Sequence, residues 1–149
     1  MGNSFIASEQ TESLNRFLTK QNGIYEAVIR ELTIGKKASH WMWYIFPQLR
    51  GLGKSQTSFI YGISDIFEAK AYLEHPVLGK RLKECCEIFL THKDKSAEEI
   101  FGEIDAMKLR SSMTLFAYVS EDNSVFHKVL ATFFDGEKDK ITLSLLNKH

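Results

Sequence analysis

Leu78, Leu82, Cys85 and Phe89 follow one another at intervals of three and four residues. That spacing stacks side chains on one face of a helix turning once every 3.6 residues, and it suits no half-buried strand, whose apolar positions alternate. The pattern returns along the chain in Leu14, Phe17 and Leu18, in Tyr25, Val28, Ile29 and Leu32, in Ile66, Ala69 and Leu73, in Leu109, Met113 and Phe116, and in Val125, Val129, Leu130 and Phe133. Helix punctuation separates the stripes. Asn22-Gly23 divides the first two, and Gly35 stands where a helix ending near Ile34 needs a left-handed residue. Ser39 and Ser64 are each placed to cap the next helix, and His75-Pro76 ends one helix while Pro76 begins another. "SAEE" at 96–99 is a capping box opening a short helix that stops near Gly102. A helix is expected from about Ile104 to Tyr118, another stopping before Asp135-Gly136, and a last short one from Thr142 through Leu146. With two prolines and no Asn-Gly or Asp-Gly between alternating runs, the chain reads as all-α: one multihelical globular domain over residues 1–149, of about seven to nine helices, with residues 1–10 as a flexible segment.

One stretch resists the pattern. "WMWYIF", residues 41–46, carries aromatic and β-branched residues that also suit a buried strand, and so short an apolar run has no decisive period. Helix is the expectation, with Ser39 to cap it and Pro47 to end it.

Length and charge narrow the function. A chain of 149 residues buries about 68–70% of its unfolded surface in one core. Nineteen basic residues against nineteen acidic ones leave no excess to neutralise a phosphate backbone, so nucleic acid is not an expected partner. No apolar run approaches the roughly 18–20 residues of a membrane span, and "MGNSFIASEQ" has neither a basic leader region nor an apolar one. Gly2 lacks the Ser or Thr that myristoylation wants, since the position holds Ile6. A cytoplasmic location is expected, without membrane association. Cys85 and Cys86 are adjacent on a helical stripe, where a disulfide is hard to form and packed thiols are the usual occupants.

"HWMWYIFPQLRGLGKS", residues 40–55, concentrates the chemically capable side chains. Gly53-Lys54-Ser55 ends like a phosphate-binding loop, but that loop requires a glycine where Gln48 stands and a preceding strand. Gly51-Leu52-Gly53 is better read as a turn whose glycines supply positive φ. His40 can act as a general acid or base, or donate to an anion. Two residues apart on a helix, Trp41 and Trp43 point about 200° apart, so at most one lines a pocket with His40, and Trp43 is the better candidate. The five histidines are scattered without metal-ligand spacing, and no metal is expected.

"DAMKLRSSMTLFA", residues 105–117, is the second concentration. Asp105, Lys108 and Ser112 recur beside the apolar face, as at a pocket edge, and Lys108, Arg110, Ser111 and Ser112 are the groups that can hold a phosphate or carboxylate by charge-assisted hydrogen bonds. Asp105 and Lys108 equally make an ordinary surface ion pair. Ser111-Ser112 lacks the context of a nucleophile elbow.

These segments, "GKKASHWMWYIFPQLRGLGKS", "YGI", "EAKAYLEHPVLGKRLKEC", "IFG" and "DAMKLRSSMTLFA", resemble the successive signatures of the bacterial family known as domain of unknown function 1810, some members of which carry the label calpastatin. The resemblance runs from about Leu14 to Leu146. It is carried by Ser39 to Trp43, Phe46 to Gln48 and Lys108 to Met113, while Lys54 is not part of the family pattern. It implies a single, mainly helical domain and no established reaction. The calpastatin label does not suit a neutral, aromatic-rich chain that lacks the composition of an inhibitor folding on its target.

The resulting expectation is a pocket where the His40 segment meets the Lys108–Ser112 helix, taking a small anionic ligand such as a nucleotide or another phosphorylated metabolite. His40, Trp43 and Gln48 would meet its polar or planar part, and Lys108, Arg110, Ser111 and Ser112 its anion. Catalysis, if it follows binding, would be hydrolysis or group transfer with His40 as acid or base. The rival is a non-enzymatic protein-interaction or scaffold module in which the same residues pin the helices together. The sequence specifies no cofactor and no oligomeric state.

Overall fold

The computed structural model of the chain describes the backbone of residues 2–148 and the side chains of residues 12–148. The side chains of the first ten residues, expected to form a flexible segment, lie outside the described residues. Ten helices and no extended strand are found among the described residues: α1 (Gly2–Asn22), α2 (Tyr25–Ile34), α3 (Met42–Ile45), α4 (Gln56–Ile60), α5 (Ile66–Glu74), α6 (Leu78–Leu90), α7 (Ala97–Phe101), α8 (Glu103–Tyr118), α9 (Val125–Phe134) and α10 (Lys140–Leu146).

The punctuation falls largely where the side chains dictate. Gly35 is left-handed (φ 87°) and returns its N–H to the carbonyls of Glu31 and Leu32. Ser96 and Glu99 make the reciprocal capping box of α7. Between α5 and α6 the chain turns at His75-Pro76, and the His75 Nδ1 accepts the free N–H groups of Val77 and Leu78, both at 3.1 Å. The corner is tight: a Cβ at Gly79 would lie 2.1 Å from the Leu73 carbonyl oxygen, so only glycine lets the two helices approach this closely.

Two expected caps differ. Asp65, not Ser64, caps α5, its carboxylate accepting the Glu68 N–H. Ser39 caps nothing; its hydroxyl turns to Glu31, and α3 is a single turn preceded by Trp41. The count exceeds seven to nine because of the unanticipated α4, which like α3 is a helix of about one turn within a connection otherwise free of regular structure. That connection is closed by a lone parallel bridge between Leu49 and Ile63, in which Ile63 donates to the Gln48 carbonyl and Arg50 to that of Ile63, each at 2.8 Å.

At the centre lies α8, against α3, α5, α7, α9 and α10. Its residues Ser111 to Ala117 are buried without interruption, so it has no polar face in that stretch. Thr114 is accommodated by donating to the Arg110 carbonyl four residues back, at 2.8 Å. Beside α8, the rings of Phe46, Phe89 and Phe101 meet edge to face at centroid distances of 5.2–6.1 Å, and Trp41 packs on the cluster from outside.

Candidate functional site

The site begins with a carboxylate inside an apolar stripe. Glu31 is buried on α2 beside Val28 and Leu32. Four donors converge on it from the chain just beyond the helix: the Ala38 and Ser39 N–H groups at 2.7 and 2.9 Å, the Ser39 hydroxyl at 2.6 Å and the Trp41 indole N–H at 2.9 Å. Burial pushes its pKa up, but the Ser39 hydroxyl, the two amides and the indole push it down further, to about 2. Glu31 therefore remains an anion that folds residues 35–41 around itself. It orients Trp41 into the aromatic cluster, yet the indole still reaches the wall of a cavity beside Trp43. The expectation that at most one of the two tryptophans lines a pocket with His40 is therefore not met: burial of one ring in the core does not take its edge away from the cavity.

With that segment held, Lys37 and His40 are carried to the edge of α8. Lys37 pairs with Asp105 at 2.7 Å, donates to the Ser39 carbonyl, and lies 5.0 Å from the centre of the Trp41 ring. Lys108, one turn along α8 from Asp105, approaches the same carboxylate more loosely at 3.5 Å and stacks 4.7 Å from the Trp43 ring. Two ammonium groups thus share one carboxylate. They face this cavity, of about 290 Å³, whose wall also holds His40, Trp41, Trp43, Ser55 and Thr57. Among the described residues of that lining Asp105 is the only acid against Lys37 and Lys108, so the two lysines give the cavity a surplus of positive charge, and Ser55 and Thr57 give it hydroxyl groups able to accept or donate.

The Lys108–Trp43 pair is also one wall of a neighbouring cavity of about 380 Å³. Here the lining turns apolar, with Leu52, Ile104, Met107 and Ile141, interrupted by Gln48, Ser111 and Asp139. Gly53 lines it because the turn passes so close that a Cβ there would sit 2.6 Å from that of Ser58. That proximity, not positive φ, explains Gly53; of the two turn glycines expected to supply positive φ, only Gly51 does so, at 108°.

Of the residues singled out in the sequence, His40, Trp43 and Lys108 meet at the first cavity, and Trp43, Lys108, Gln48 and Ser111 at the second. Arg110 and Ser112 reach neither. Arg110 lies on another face of α8, near Glu137 at 3.8 Å, and borders a separate hollow with residues 136–141. Ser112 is wholly buried, its hydroxyl without a partner, because helices enclose α8 where a pocket edge was expected. Ser55 is the N-cap of α4, accepting from the Ser58 N–H at 3.1 Å, and Lys54 is exposed, so Gly53-Lys54-Ser55 opens a five-residue helix and no phosphate loop. His40 is exposed and makes no side-chain hydrogen bond among the described residues, hence no carboxylate orients its ring. Among those residues, no three His, Cys, Asp or Glu side chains cluster to hold a metal, and no helix is long and apolar enough to cross a membrane.

Sequence reasoning missed Glu31 and Lys37. The signal for Glu31 was present, an acid in register with the apolar face of α2. Lys37 had no such signal, since its role depends on a loop whose path only Glu31 explains.

Comparison with known proteins supplies kinship without an activity. No curated protein matches the chain. The crystal structure of the conserved hypothetical protein Rv1873 from Mycobacterium tuberculosis is 48% identical, with a TM-score of 0.88 over 90% of this chain and 96% of that one. The profile of the family described as "Protein of unknown function (DUF1810)" matches residues 11–146. On that match, which takes in both segments that build the cavities, the chain belongs to the DUF1810 family.

Proposed function

We propose that the protein binds a small phosphorylated metabolite in the cavity between the His40 segment and α8. The observation that carries this reading is the sharing of Asp105 by Lys37 and Lys108. Lys37 is the inner, more tightly held cation, with the carboxylate at 2.7 Å and a carbonyl beside it. Lys108 is held by the same carboxylate at 3.5 Å and by an indole face, leaving N–H donors to turn toward an anion. The Ser55 and Thr57 side chains add neutral hydrogen-bonding capacity on the facing wall. His40 stands at the rim as the group able to exchange a proton with a bound phosphate, but with no partner fixing its ring, recognition is supported further than catalysis.

The test is calorimetric titration with inorganic phosphate and ribose 5-phosphate at low salt. Lys108→Ala should weaken both by roughly 10- to 100-fold, the value of a charge-assisted hydrogen bond, whereas Arg110→Ala should change neither by more than about two-fold. Equal weakening in the two variants, or no binding to the wild-type protein, would reject the site.

A further inference from the structure

Gln48 is an anomaly in the second cavity. The residue is only 4% exposed, yet its Nε2 amide finds no hydrogen-bond acceptor among the described residues. Buried amide donors are ordinarily paired, because an unpaired one forfeits its hydration without compensation. Nor does Gln48 have an obvious route of escape. Its backbone is held on one side by the Leu49–Ile63 bridge, with its own carbonyl accepting from Ile63.

Gln48 lines an unfilled, largely apolar slot. Ile104, Met107 and Ile141 form its rim and are 72%, 65% and 62% exposed, a high degree for large aliphatic side chains gathered around one hollow. The slot adjoins the cationic cavity, and the two share Lys108 and Trp43. A single occupant can therefore place an anion on one side of that pair and an apolar, planar portion on the other.

We propose that the second cavity is a subsite for a planar ring bearing a carbonyl oxygen, carried by the same molecule whose phosphate lies by Lys108. The inference rests on the phosphate site above and narrows its ligand to phosphates with such a ring attached, nucleotides with oxo-substituted bases among them. The ring carbonyl accepts from the Gln48 amide. The ring faces meet Met107 and Ile141, which removes their exposed surface from water. A simple sugar phosphate fills the first cavity and leaves Gln48 unpaired.

The experiment compares ribose 5-phosphate with the 5′-monophosphates of uridine and guanosine by calorimetry. At least one nucleotide should bind the wild-type protein about ten-fold or more tightly than ribose 5-phosphate, the worth of one satisfied buried hydrogen bond plus ring contact. Gln48→Leu, which keeps the volume and removes the donor, should erase most of that increment and leave ribose 5-phosphate binding intact. Ile141→Asn, on the exposed rim, should also reduce the increment and keeps the comparison decisive if Gln48→Leu does not fold. Ribose 5-phosphate binding with no nucleotide increment, or an increment indifferent to both substitutions, overturns the subsite alone. Loss of every phosphate ligand overturns the phosphate reading and the subsite with it.

Discussion

Replacing Glu31 by Gln tests the physical root of the site. The substitution preserves size and removes charge, and it sets an amide NH2 among donors that formerly met a carboxylate: two backbone N–H groups, the Ser39 hydroxyl and the Trp41 indole, all within 2.9 Å. The anion's advantage follows from its pKa, lowered from 4.5 to about 2. At about 1.36 kcal/mol per pH unit, that displacement corresponds to roughly 3 kcal/mol of folding stability at neutral pH. For a domain of this length the melting temperature should fall by roughly 6–12 °C. The pH dependence has a definite sign. Because the folded state lowers the pKa of an acid, the stabilisation is complete above about 4.5 and disappears as pH falls toward 2. Urea unfolding of both proteins across this range should therefore give a stability gap that is constant from pH 7 to about 5 and closes in acid. A gap under about 1 kcal/mol at pH 7, or one as large at pH 2.5 as at pH 7, would refute the assignment of Glu31 as the charged hub of residues 35–41.

Other expectations come from packing and burial. Gly79→Ala places a methyl 2.1 Å from the Leu73 carbonyl oxygen and should destabilise the fold by about 3 kcal/mol, measurable by urea unfolding. Burial pushes the Cys85 thiol up to about 12 and Cys86 well above its ordinary value, so a disulfide-exchange reagent at pH 8 should label neither in the folded protein and both after denaturation. Glu68 is buried against Arg16, which donates to its two oxygens at 3.0 and 3.2 Å, to the Gly62 carbonyl at 2.9 Å and to that of Ile60 at 2.7 Å. Arg16→Met should accordingly cost about 3 kcal/mol in thermal or urea unfolding, since it strands the Glu68 carboxylate.

The helices were legible because most of them are capped and striped by their own residues. Ser96 and Glu99 announce α7, and Asp135-Gly136 closes α9, with Asp135 itself left-handed at φ 54°. Where local signals compete with a distant partner they mislead. Ser39 has every property of an N-cap, yet Glu31, eight residues earlier, takes its hydroxyl and its N–H together. The same limit applies to the site. His40, Trp43 and Lys108 could be placed at one meeting point from the sequence because each lies in a chemically dense stretch. Arg110 and Ser112 were grouped with Lys108 because they are near it in sequence, but α8 is enclosed on several sides, and a rotation of about 100° per residue sends Arg110 to another surface and Ser112 into the core. The backbone bridge that holds Gln48 joins residues fourteen positions apart and leaves no local trace.

The border between the two cavities runs through Lys108 and Trp43, which line both. On the Lys108 side it is a lysine whose side chain is 26% exposed, resting on an indole. An aliphatic stem of this kind crosses between rotamers in picoseconds to nanoseconds where solvent reaches it, while the helix that carries it stays still. The cation's attraction to the ring is of order 1 kcal/mol and resists this motion only slightly. On the timescale of a molecular encounter, therefore, the border at Lys108 shifts without any hinge in the backbone. A change at position 108 therefore alters the shape of both cavities as well as their charge.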